Sequence, residues 1–415
     1  MTRELALPIP AARRAAGLPL ALVLGAAAAA ALGVALAAVQ HVPETRTSPL
    51  EPSTHAWRVA LVAAIAAAFA LYVLGLAALR RRAAAIAAVG VVAAAIQLAP
   101  LAGPLLLSRD AYLYWDYGRT FAVHHGNPYR DFPDRYPADP AYRHMSTAWA
   151  RLRSPYGPGW TLVDAGAAKA AGASASSAAW IFRGIGAAAA LLLVAVVAVS
   201  TRSGFATALV GWNPLLALHF AGGGHADAAM MAFVAAALAL APRRPLSSGV
   251  AWVAALAVKV AALAFLGVEL VYRLHERRRA WFLGLVGAGV VALAAATAVF
   301  GAQWLRAAGP ISNQLRDSNS IGFPTRLAEL GIPPHAARAI VVAAFAVLYL
   351  WILREAWRGR RRLSLAAAGL CLTIAWLQPW YGSWAIVLAA FDGDLAGTVL
   401  GIALSGYVLV DALPI

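Results

Sequence analysis

Residues 83–107 read AAAIAAVGVVAAAIQLAPLAGPLLL, and Ser108, Arg109 and Asp110 follow directly. The run carries no charge and exceeds the roughly 20 residues that cross a bilayer as a helix. It shows no apolar–polar alternation, so it reads as a membrane-buried helix and not as a barrel strand. A polar stretch reaching Gly157 comes next. A carboxylate at the lip of a spanning helix is costly to place. Asp110 is therefore the leading candidate for a chemical group working at the membrane–water boundary.

Outward from this stretch the same pattern recurs. Further apolar spans fall at 18–40, 57–79, 177–200, 205–221, 225–241, 249–272, 280–300, 336–355, 364–381 and 384–411, the last interrupted by Asp392 and Asp394. Segment 160–171 is half a membrane thick and reads as a re-entrant or interfacial helix. The chain of 415 residues is 62% hydrophobic and 13% charged, with mean hydropathy +0.70. A soluble protein could not hide that much apolar surface. In lipid the backbone must satisfy its own hydrogen bonds, which favours helices. The expectation is an all-α polytopic membrane protein: one transmembrane domain over 1–415, a bundle of about 11–13 transmembrane helices, a large first extracytoplasmic loop at 108–158 and a second at 301–335. The N-terminal apolar segment is too long for a cleaved signal and reads as the first span.

The net charge is +16. Its clusters sit in short loops: Arg13/Arg14, Arg80 to Arg82, Arg243/Arg244, Arg273 with Arg277 to Arg279, and Arg358 with Arg360 to Arg362. Orientation and membrane lipid explain them more simply than nucleic acid does. With all five clusters cytoplasmic, the N-terminus is inside and 108–158, 222–227, 301–335 and 378–381 are outside. Run 249–272 has basic loops at both ends, so it should enter and return as two short helices. Every unusual polar motif then lies on the outer face of a plasma (inner) membrane protein. The single cysteine, Cys371, lies within an apolar run and makes no intrachain disulfide.

Several motifs on that face carry candidate chemistry. Asp110 could serve as a general base or only cap a helix or pair with Arg109. Asp116, Tyr112, Tyr156, Trp380 and Tyr381 are candidates for an acceptor site or cavity wall. His124 and His125 are adjacent, a spacing that rarely lets two rings face one metal ion. Ser154-Pro155-Tyr156-Gly157-Pro158 is a rigid re-entry into the membrane. Gly222-Gly223-Gly224-His225-Ala226-Asp227 lets backbone approach a ligand closely and opens a helix whose N-terminus favours anions; the alternative is a tight turn capped by Asp227. Lys259, one of two lysines, stands inside an apolar run, where it could meet a lipid-linked phosphate or pair with Glu269. Arg306, Arg316 and Arg326 are further phosphate candidates. Asp392-Gly393-Asp394 is assigned no metal. No Gly-rich nucleotide loop is present, so a donor is expected to be lipid-linked.

Together these features resemble the GT-C superfamily of integral membrane glycosyltransferases, whose hallmark is an acidic residue in the first large outer loop. Three stretches resemble the actinobacterial polyprenol-phosphate-mannose-dependent α-(1→6)-mannopyranosyltransferases: Ser108 to Tyr114, Ser154 to Pro158, and Asn213 to Asp227 with Lys259 downstream. The likeness covers about Ala83 to Val271. Family members commonly carry Asn where this chain has Ala226, and a C-terminal helix or domain of the family is not accounted for before Ile415. The resemblance implies an inverting transfer. Asp110 would deprotonate a hydroxyl of a glycan or glycolipid acceptor, and mannose would leave a β-linked polyprenyl phosphate. His225, Lys259 and Arg316, with Asp227, would hold the phosphate, and no metal cofactor is expected. The competing reading is a flippase or transporter of lipid-linked sugars. That reading would want polar residues through the whole membrane thickness, whereas the inner half here is nearly bare Ala, Leu and Val.

Overall fold

The computed structural model describes residues 17–42, 52–80, 85–307 and 318–411, and among them every regular element is helical. In chain order these are α1 (Gly17–Val39), α2 (Pro52–Leu79), α3 (Ile86–Leu98), α4 (Asp110–Ala122), α5 (Pro140–His144), α6 (Pro158–Ala171), α7 (Ala175–Thr201), α8 (Gly204–Gly211) and α9 (Pro214–Ala217). Then come α10 (Asp227–Leu240), α11 (Pro245–Val258), α12 (Ala262–Glu276), α13 (Arg279–Phe300), α14 (Phe323–Glu329), α15 (Pro334–Trp357), α16 (Leu363–Thr373), α17 (Gly382–Asp392) and α18 (Leu395–Asp411). The protein is an all-α polytopic membrane protein.

The apolar runs divide more finely than their lengths alone suggest. Among the described residues, five helices are long and apolar enough to cross a membrane, six if the bent pair around residues 222–227 is one span, and four shorter apolar helices accompany them. The eleven expected spans differ because breakers cut several of them. Pro100 converts the end of α3 into a 3₁₀ turn over Ala99–Ala102. Asn213-Pro214 ends α8, and the Asn213 side chain accepts the Leu215 amide to start α9. α9 loosens into a π turn over Leu218–Gly222, and the chain then bends by 118° into α10. Run 249–272 is two helices, as its basic flanks predicted. The break falls at Lys259, whose backbone is extended (φ −154°, ψ 130°). Gly393 in the left-handed region (φ +63°) separates α17 from α18.

Such breaks free carbonyls that lipid cannot satisfy, and buried side chains or backbone amides of other segments take several of them up. Gln97 donates to the Gly211 carbonyl at 3.0 Å, and Arg183 to the Ala221 carbonyl at 3.1 Å and to Pro100 O. Trp212 Nε1 donates to Val89 O at 3.1 Å, fixing α3 against α8. Close approach also needs glycine: a Cβ on Gly157 would lie 2.3 Å from the Ala257 carbonyl oxygen. That contact, with the Gly157 amide bonded to Val258 O at 2.9 Å, presses the Ser154–Pro158 re-entry onto the α11–α12 break. α13 and α15 lie at the periphery, with 11% and 17% of their spanning windows buried. The core is gathered around α7, α8, α10, α16 and α17.

Candidate active site

Four backbone discontinuities meet in one buried place: the start of α4, the turn before α10, the break between α11 and α12, and the start of α17. Helix ends carry unpaired backbone groups and release side chains from the helical lattice, so polar chemistry collects there.

Asp110 is the first residue of α4 and is 3% exposed. The Ser108 hydroxyl lies 2.9 Å from its Oδ1 and accepts its amide at 3.0 Å. Burial raises its carboxyl from the ordinary 3.8 to about 6. The Ser108 hydroxyl, the Lys259 charge and the Tyr114 hydroxyl pull it back, while the Asp227 charge pushes it up. A helix N-terminus favours a carboxylate in its first turn by itself, and Asp110 lies there. Capping does not account for the company Asp110 keeps.

That company starts one turn on, at Tyr114. Its hydroxyl accepts the Ala226 amide at 3.4 Å, and its ring stands edge-on to Tyr156 at 5.0 Å and to Trp160 at 5.5 Å. α4 is thereby tied to the Gly-rich turn. Asp227 opens α10 with its side chain 0% exposed: Oδ2 accepts Lys259 Nζ at 2.8 Å and Oδ1 accepts Trp384 Nε1 at 2.7 Å. The ammonium also lies 4.5 Å from the Tyr381 ring centroid, 5.6 Å from Trp384 and 6.0 Å from Tyr156. Such an aromatic cage stabilises a cation removed from water. Tyr381 and Trp384 stack at 4.4 Å. Beside them His225 packs on Trp380 at 3.7 Å and on His219 at 5.3 Å, and none of the four imidazole nitrogens has a protein partner.

The structure thus brings together Asp110, Tyr156, His225, Asp227, Lys259, Trp380 and Tyr381. Lys259 takes Asp227 as its partner, not Glu269, which instead pairs with Arg273 at 2.6 Å and Arg361 at 3.3 Å. Two candidates on α4 face elsewhere. Tyr112 packs on His144 at 5.3 Å. Asp116 lies toward Asp139 and Arg119, where burial first and then the Asp139 charge raise its carboxyl to about 7. Six residues turn a helix by about 240°, so Asp110 and Asp116 cannot share a face. Arg316 lies outside the described residues. Arg326 is engaged by Glu329 at 3.1 Å and by the Tyr407 hydroxyl at 3.2 Å.

Other sequence candidates are structural in their contacts. His124 bonds Asp139 at 2.6 Å and stacks on Tyr136, while His125 sits in a left-handed turn (φ +52°). Asp392 accepts the Ser364 amide and hydroxyl, and Asp394 caps α18 and holds Arg362. Among the described residues, no three His, Cys, Asp or Glu side chains gather for a metal ion. Sequence reasoning passed over Tyr114, His219 and Trp384. Tyr114 follows Asp110 at the i+4 spacing that shares a helix face, a signal that could have found it; the partnership of Trp384 with Asp227 crosses 157 positions and left none.

Comparison with known proteins gives two findings. Residues 17–275 match the MptA_B family, described as alpha-(1->6)-mannopyranosyltransferase, N-terminal domain. A probable alpha-(1->6)-mannopyranosyltransferase of Mycolicibacterium smegmatis (strain ATCC 700084 / mc(2)155) is 28% identical, the match covering 70% of this chain and 63% of that protein. The chain therefore spans under two thirds of that relative's length. No solved structure matches.

Proposed function

We propose that this chain, which belongs to the alpha-(1->6)-mannopyranosyltransferase N-terminal domain family, is an inverting membrane glycosyltransferase. It moves a mannosyl residue from a polyprenyl phosphate to a hydroxyl of a cell-envelope glycan or glycolipid. The observation that carries the reading is the convergence of a buried carboxylate, Asp110, with the caged Lys259–Asp227 pair and the Gly-rich turn, from segments far apart in sequence.

Asp110 acts as general base. It takes the proton of the acceptor hydroxyl as that oxygen attacks the anomeric carbon of the donor. The bond from that carbon to the phosphate oxygen breaks on the opposite face, its electron pair leaves with polyprenyl phosphate, and the β-linked donor gives an α-linked product. A leaving phosphate needs positive charge or N–H donors where its charge grows. Lys259 supplies an ammonium that spends one of its three donors on Asp227. His225 and Arg316 are the further phosphate contacts in this reading, with Tyr156, Trp380 and Tyr381 walling the cavity. These charged groups do the electrostatic work without a metal. The site faces the outer side of the plasma membrane, since the basic loop clusters mark the cytoplasmic side.

The test is transfer from polyprenyl-phosphate mannose in membranes carrying the protein. Wild type should form mannosylated product, and Asp110→Asn should lower the rate by about 10²-fold or more while leaving the folded protein at normal levels. Full transfer by Asp110→Asn would remove the base from this mechanism.

A further inference from the structure

Three helices of the catalytic cluster share a second destination. α12 begins just past Lys259 and carries Tyr272, about 20 Å farther on at 1.5 Å per residue. α17 begins beside Tyr381 and ends at Asp392. α16 carries Cys371, whose thiol meets the Tyr381 carbonyl, and begins at Leu363. At that far end lies a cavity of about 510 Å³ lined by Tyr272, Arg360, Arg361, Arg362, Asp392 and Asp394 among others, a volume in the range of small-molecule sites.

The charges in this cavity are unevenly spent. Asp392 Oδ2 accepts the Ser364 amide and hydroxyl, both at 2.8 Å, and Oδ1 accepts the Asp394 amide at 3.1 Å. Asp394 accepts Arg362 and the amides of Ala396 and Gly397. Both carboxylates are therefore largely saturated. The arginines are not, because each guanidinium has five N–H donors. Arg360 gives its Nη2 to Glu355 at 2.8 Å, and its side chain is 60% exposed. Arg361 gives its Nη1 to Glu269 at 3.3 Å and lies 4.7 Å over the Tyr272 ring. What the cavity has left to offer is arginine N–H donors, those of Arg361 held flat over the Tyr272 ring, and planar guanidinium N–H groups suit phosphate.

Its depth in the membrane is marked as well. Trp357 is 57% exposed and Trp351 39% exposed, and Arg362 lies 5.0 Å over the Trp351 ring. Exposed tryptophans beside arginines are the composition of the lipid headgroup zone. Basic pockets between helices at this level take phosphate-bearing headgroups. From this geometry we infer that the Arg360–Arg361–Tyr272 cavity is a binding site for a phosphate group, separate from the catalytic cluster.

The experiment uses the full chain in lipid nanodiscs containing phosphatidylglycerol in a phosphatidylcholine background, with retained lipid counted by native mass spectrometry. Wild type should keep phosphatidylglycerol. Arg360→Glu should lower its occupancy about tenfold, and Arg361→Lys, which keeps the charge but loses the fork, should lower it less. Arg243→Ala, a basic loop position outside the cavity, should change nothing. Undiminished retention by both cavity variants would overturn the site, as would an equal loss in Arg243→Ala, which would mean diffuse surface attraction. A second arm offers glycerol 3-phosphate to protein in pure phosphatidylcholine discs. Binding there that is lost in Arg360→Glu supports the site with a soluble phosphate compound as its source. Absence of such binding, with phosphatidylglycerol retained in the first arm, supports the site with the membrane headgroup as its source.

Discussion

Removing Asp227 leaves Lys259 as a lone cation inside the bundle. The carboxylate and ammonium side chains are 0% and 12% exposed and touch at 2.8 Å. Their gross attraction at an effective dielectric of 20 is about 6 kcal/mol, and much of it is offset by the cost of desolvating both ions. The measurable quantity is the loss when one partner goes: breaking a buried pair costs about 3–5 kcal/mol, because the survivor keeps its desolvation penalty. Asp227→Ala also orphans the Trp384 N–H, which donates to the same carboxylate at 2.7 Å, for a further loss of about 1–3 kcal/mol. Lys259→Met should cost a similar amount, since it strands the carboxylate instead. The double variant should cost less than the two singles summed, by up to about 3 kcal/mol, because no charge is then left behind. Equilibrium unfolding in mixed dodecylmaltoside–SDS micelles, followed by tryptophan fluorescence, reads all three. Single variants that each cost under about 1 kcal/mol, or that add without coupling, would refute the argument, for they would mean that the pair is solvated.

Transfer rate should depend on pH through Asp110. Burial raises its carboxyl to about 6, and a base must be ionised, so activity should fall below about pH 6 and level off above it. Ser108→Ala removes a hydroxyl that favours the ionised form, so the acid limb in a pH–rate profile should move upward; a limb that stays in place would count against that hydrogen bond. Tyr114→Phe deprives the Ala226 amide of its acceptor; turnover should fall with little change in expression, and unchanged kinetics would show that the tie between α4 and the turn is idle. Gly157→Ala places a Cβ 2.3 Å from the Ala257 carbonyl and should lower both the unfolding midpoint and activity, whereas Gly166→Ala, with open space around it, should do neither.

Much of the architecture was legible from pattern. The uncharged runs predicted all-helical membrane structure, and the basic flanks of 249–272 predicted two helices where one run is written. The division into helices was less legible. A run such as 364–381 shows nothing in its hydropathy that requires α16 to stop at Thr373, where the chain turns toward Gln378-Pro379. At the site, Asp110, His225, Asp227 and Lys259 stood out because polar residues in apolar surroundings are costly. Tyr112 and Asp116 were candidates for an acceptor site or cavity wall, and the structure turns them toward His144 and toward Asp139 with Arg119, respectively. Asp227 offered two candidate roles, cap or ligand. Its acceptance of both Lys259 and Trp384 was visible in neither flank.

That this chain lives in a membrane as helices, and which of its polar residues need a partner, follows from local sequence, through the cost of putting charge or bare backbone into lipid. Which of those residues meet depends on how the helices assemble. Asp110, Asp227, Lys259 and Trp384 lie scattered over nearly 300 positions and are joined only where four helix discontinuities converge. Pairing across such distances depends on how helices pack, and packing is set by many small contacts that no single stretch of sequence displays.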